Sequence, residues 1–148
     1  MSSTGLAATA ALTGGIAGAM QIAVQGRLGD RVGSLEALAM AAIIGGVLAF
    51  ALLLVVRRSL SGLEEAVAGP KWQLLGGVFG VIIVFGITYS AARIGVLATT
   101  AFLVAGQFAL AALIDRLGWF GVERIGFSWT RVVGIALLVA GAALTLRR

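Results

Sequence analysis

Residues 37–56 form an unbroken stretch of twenty without a charged side chain, and four further stretches are of the same kind: 1–26, 72–92, 94–114 and 132–146. A helix needs about 20 apolar residues to cross about 30 Å of hydrocarbon, so four of the five reach across unaided. The last has 15 residues and would reach only about 22 Å as a helix. It is expected to recruit residues 127–130, with Arg131 snorkelling to the headgroups. Barrel strands would show segments of about ten residues alternating apolar and polar, whereas residues 48–56 are apolar throughout.

The expected fold is therefore an all-α integral membrane protein, a single five-helix transmembrane domain over 1–148 with spans near 5–26, 36–56, 72–92, 95–114 and 127–146. Composition agrees: 60% of the 148 residues are apolar and 11% charged, with a mean hydropathy of +1.08. A soluble domain carries about 25% charged residues. With neither Cys nor His, disulfide, zinc, haem and thiol chemistry lose their usual ligands. The net charge of +5 is not a nucleic-acid signal, because the basic residues stand in the gaps between apolar runs. Ala17, Gly18 and Ala19 resemble a signal-peptide cleavage site but lack a basic segment before them. Residues 27–36, 57–71 and 115–130 read as polar connections, Pro70 and Trp72 as a helix start at the interface, and Arg93 as a tight hairpin between the third and fourth spans. Trp72, Trp119 and Trp129 all lie outside the apolar centres, as belt residues do.

Five spans place the termini on opposite sides. One side then carries Arg57, Arg58, Lys71, Arg116, Arg124 and Arg131; the other carries Arg27, Arg31, Arg93, Arg147 and Arg148. Six against five gives the positive-inside rule almost nothing to act on, and the expectation is insertion in both orientations. The alternative is that the first span alone sets the orientation. Inverted repeats are a common transporter plan, and a chain inserted both ways could build one as an antiparallel homodimer of ten helices.

Small residues let helix backbones approach in lipid, and Gly is 22 of 148 residues. Gly14 with Gly18, and Gly76 with Gly80, form small-x-x-x-small pairs read as packing faces. Gly45, Gly46, Gly134 and Gly141 take the same reading. At about 100° per residue, Gly14, Gly18, Gln21 and Gln25 fall within about 60° of one another. An amide in hydrocarbon needs partners, so this seam should face protein or a wet cavity, although Gln25 at the span end could be solvated. Gln107, near the middle of the fourth span beside Gly106 and on the face of Thr100, is either an interhelical hydrogen bond or a substrate contact. Arg93 reads as an interfacial anchor, with Gly86 and Ser90 on its face. Asp115 and Arg116 read as a solvated pair.

No Asp or Glu lies inside any charge-free run, which argues against proton-for-cation antiport. Nor does any span centre hold a nucleophile with a base. No catalytic residue, metal site or cofactor is expected.

Gln21, then Gln25-Gly26-Arg27-Leu28-Gly29, Pro70-x-Trp72 with Gly76-Gly77-x-x-Gly80, Ala92-Arg93-x-Gly95, Gly106-Gln107, Asp115 with Gly118 and Gly121, and Arg131 with Gly134 and Gly141 together resemble the bacterial YdcZ-type family of the drug/metabolite transporter superfamily. That family often has Asn where this chain has Gln25. The resemblance spans nearly the whole chain and implies an inner-membrane location and an inverted dimeric assembly, but no substrate. The expected function is a small-solute transporter working by alternating access in an antiparallel homodimer, with membrane lipid and solute as its partners. Its expected substrate-binding residues are Gln107, Gln21, Gln25, Thr100 and Gly106. The alternatives are a passive channel and a non-transporting scaffold or lipid-interacting protein.

Overall fold

The computed structural model describes residues 3–126 and 128–146, and among these every regular element is helical. In chain order they are α1 (Ser3–Val32), α2 (Ser34–Arg57), α3 (Ser61–Ala68), α4 (Leu75–Leu117) and α5 (Trp129–Leu144), with single 3₁₀ turns at Lys71–Leu74 and Trp119–Gly121. Three helical stretches, Thr4–Val32, Ser34–Arg57 and Lys71–Leu117, are long and apolar enough to cross a membrane; Trp129–Leu144 is a shorter apolar helix.

Several boundaries differ from those the charge pattern suggests. Helix α1 does not stop at Gly26 but carries Arg27, Asp30 and Arg31 in its last turns. Arg is a good helix former, so a helix emerging from an apolar run continues until the backbone is forced out. That happens at Gly33, whose φ of 103° suits glycine and where a Cβ would collide with the Glu36 carboxylate. The connection after α2 is also partly helical, through α3, and Pro70 caps the 3₁₀ turn that holds Trp72.

Helical structure likewise runs straight through Arg93. The departure comes two residues later at Gly95, with φ 81° and ψ 169°, a region that is essentially glycine-only. Gly95 thus divides α4 into two stretches, 75–94 and 96–117, each about 20 residues and about 30 Å long. The last helix begins at Trp129; the expected extension to residue 127, like Arg147 and Arg148 of the charge count, lies outside the described residues.

The chain forms two compact units, Val24–Ala92 and the remainder, Met1–Ala23 with Arg93–Arg148. In the first, the end of α1 packs closely on the first part of α4. A Cβ at Gly26 would stand 2.7 Å from the Ala91 Cβ, and one at Gly29 would stand 2.7 Å from the Thr88 Cγ2. Glycine allows that approach. Ala37, Ile87 and Thr88 are buried in this unit. In the second unit the buried residues are small or few: Ile22, Ala98, Thr99, Ala105 and Ala142. Nearly all the large side chains face outward, Leu97 and Val55 each at 72% exposure.

Candidate functional site

The polar groups of the apolar helices fall into three kinds. Thr88, Thr99 and Thr100 turn their hydroxyls back on their own helix, donating to the carbonyls of Val84 at 2.7 Å, Gly95 at 2.8 Å and Val96 at 2.8 Å. A hydroxyl so engaged needs no outside acceptor. Thr100 therefore sits in its helix without a demand for a ligand.

Gln25 is the second kind. It is only 8% exposed, and among the described residues its buried Oε1 has no hydrogen-bond partner. The expectation of a solvated amide at the span end is corrected here. Helix α1 runs on to Val32, and the Gly26 and Gly29 approach carries this part of it into the packed interior of its unit. An unsatisfied buried carbonyl costs about 1–3 kcal/mol.

Gln21 and Gln107 are the third kind, for both are exposed. The buried alanines of this part of α4, Ala98 and Ala105, are seven residues apart and so share one stripe. Gln107 lies about 160° around the helix from Ala105. The amide is thus displayed on the face away from the packed one, next to Gly106, which is also exposed and where a Cβ would meet nothing. Among the described residues no hydrogen bond joins Gln21 to Gln107. Gly14, Gly18, Gly76 and Gly80 likewise have open space beside them: among the described residues, and apart from the neighbouring backbone of their own helix, no heavy atom lies within 4 Å of a Cβ built on them. Arg93 and Trp72 are exposed.

At the end of α4 the structure shows a feature the sequence reading missed. Asp115 pairs with Arg131 on the first turn of α5, Nη1 to Oδ2 at 3.1 Å, and not with its neighbour Arg116 as its place in the sequence suggests. Side chains at i and i+1 point about 100° apart on a helix, so the more distant residue is better placed. The Asp115 carbonyl also accepts from the Ile125 amide at 2.9 Å, tying the intervening loop back to α4. Below the ion pair, a groove of about 580 Å³ runs between α4 and α5, lined by Phe108, Ala111, Ala112, Gly134, Ile135 and Leu138, with Thr130 at its charged end. Small residues facing across two helices, Ala111 and Ala112 against Gly134, were the available signal. No group of Asp and Glu side chains that could hold a metal ion occurs among the described residues.

Long helices whose large apolar side chains face outward, with the charges gathered at helix ends and loops, define a helical integral membrane protein. The chain belongs to the YdcZ family, described as "Putative inner membrane exporter, YdcZ", which it matches over residues 6–144. It is accordingly an inner-membrane protein of a transporter family, not of an enzyme family. Comparison with curated proteins gave no match, and comparison with solved structures gave none.

Proposed function

We propose that the chain crosses the membrane five times, through α1, α2, the two parts of α4 divided at Gly95, and α5, and that two copies in opposite orientations form a small-solute exporter. The exported molecule passes a central polar cavity lined by Gln107, with Gln21 as its partner and Gly106 beside it. The observation that carries this reading is the outward display of Gln107 at the middle of an apolar helix. An amide facing hydrocarbon without a partner is unfavourable, and a midplane residue can meet its own mate across a two-fold axis lying in the membrane. The open Gly14, Gly18, Gly76 and Gly80 faces give a second copy room for close backbone approach. The near balance of Lys and Arg between the two sides lets both orientations insert.

The native chain lacks cysteine, so single-cysteine oxidation tests the assembly directly. Gln107→Cys should form a cross-linked dimer in native membranes, since a disulfide needs Cα atoms within about 7 Å. Leu97→Cys, ten residues and about 15 Å away along the helix, would stand about 30 Å from its mate and should not cross-link. Efficient linkage at 97 with none at 107 would refute the antiparallel arrangement.

A further inference from the structure

The groove between α4 and α5 has a polarity gradient along its length. Its charged end holds Asp115 and Arg131, and its other end holds Phe108 and Leu138, each seven residues, or about 10 Å, further along its own helix. The ion pair is open to the surroundings, with side-chain exposures of 43% for Arg131 and 30% for Asp115. One guanidinium N–H is committed to Asp115 Oδ2, and a guanidinium carries five. Among the described residues the pair therefore leaves unused donors on one partner and acceptor capacity on the other, side by side and with no net charge between them.

We infer that this groove holds one membrane lipid with a phosphoethanolamine headgroup, its phosphate on Arg131, its ammonium on Asp115 and one acyl chain lying along the apolar floor. Charge complementarity selects the headgroup. An anionic headgroup would satisfy Arg131 but lie against the Asp115 carboxylate, and like charges at that range repel. A choline headgroup has the two charges but no N–H to donate, so it forgoes the charge-assisted hydrogen bond to the carboxylate. The apolar floor starts beside the charges and runs inward from the helix ends, the direction in which an acyl chain leaves its headgroup. A bound lipid of this kind clamps α4 to α5 from outside, supplementing the ion pair.

The test uses the full chain, purified and delipidated in detergent, with dioleoyl phosphatidylethanolamine, phosphatidylcholine and phosphatidylglycerol titrated separately and binding followed by native mass spectrometry. The ethanolamine lipid should bind about tenfold more tightly than either of the others, the worth of one charge-assisted hydrogen bond. Asp115→Asn and Arg131→Gln should each reduce it to the level of the choline lipid. Ala111→Leu, which fills the groove from its exposed side and leaves the ion pair alone, should weaken all three lipids together. Phosphoethanolamine without acyl chains should bind far more weakly than the lipid, and comparable binding would assign the site to a soluble zwitterion instead. Equal affinity for the three lipids, a preference for the anionic one, or a preference that survives both Asp115→Asn and Arg131→Gln would overturn the inference. So would lipid binding seen only on monomers, which would mean that a second copy covers the groove.

Discussion

Arg131, on the first turn of α5, reaches back sixteen residues to hold Asp115 on the last turn of α4, Nη1 to Oδ2 at 3.1 Å. The contact closes the loop between the two helices, together with the Ile125 amide on the Asp115 carbonyl. Because both side chains are partly exposed, screening keeps the pair weak, within about 1 kcal/mol. Arg131→Gln and Asp115→Asn are each expected to lower the melting temperature in detergent only slightly, by an amount that shrinks as salt is raised. A large, salt-independent loss would show that the pair is shielded more fully than its exposure indicates.

The close approach of α1 to α4 gives a sharper expectation. Gly26→Ala places a methyl carbon 2.7 Å from the Ala91 Cβ, and overpacking of this sort costs about 1–3 kcal/mol. Ala91→Gly in the same chain should restore much of the loss, whereas Gly18→Ala, which meets nothing within its unit, should leave the monomer's thermal stability unchanged. Equal effects at positions 18 and 26 would remove the packing argument.

The helices were legible in the sequence because lipid imposes a length on apolar runs; their ends were not. Arg27, Asp30 and Arg31 look like a loop by charge, yet they finish α1, since water at the interface solvates them while the helix continues. Arg93 is the only charge between two apolar runs, but the break falls at Gly95 for reasons of backbone conformation. Gln107 was identified by its depth, a property of position along the chain. The burial of Gln25 depends on Gly26 and Gly29 meeting Ala91 and Thr88 some 60 residues away, and no local pattern announces such a contact.

Gly95 is the position least tolerant of a side chain. Its φ of 81° with ψ 169° costs a non-glycine residue about 1–3 kcal/mol, and its carbonyl also receives the Thr99 hydroxyl at 2.8 Å. Gly95→Ala should therefore lower stability by that amount, measured by thermal unfolding in a fixed detergent, and Thr99→Val by no more than about 1 kcal/mol. A Gly95→Ala protein as stable as the parent would show that the backbone there can adopt a different course.

Replacing Gln107 by Leu keeps a similar volume and removes the amide. If the amide serves only to join helices, dimer stability should fall by about 0.6 kcal/mol with export retained, the average for such bonds in a membrane host. A solute-binding amide gives the other, expected outcome: an intact dimer with export abolished, measured as efflux from proteoliposomes of a solute first identified by its stabilisation of the purified protein. Intact efflux kinetics in the folded variant would reject Gln107 as a site residue.

The orientation of the chain in the membrane decides whether two opposed copies exist to pair. Gly62 lies in the exposed connection helix α3, where a Cβ meets nothing within 4 Å, so Gly62→Cys gives the otherwise cysteine-free chain a single reactive thiol. An impermeant thiol reagent applied to intact cells, followed by a permeant one, should label about half of the molecules in the first step, as two opposed orientations require. Complete labelling or complete protection in that first step would contradict an antiparallel homodimer.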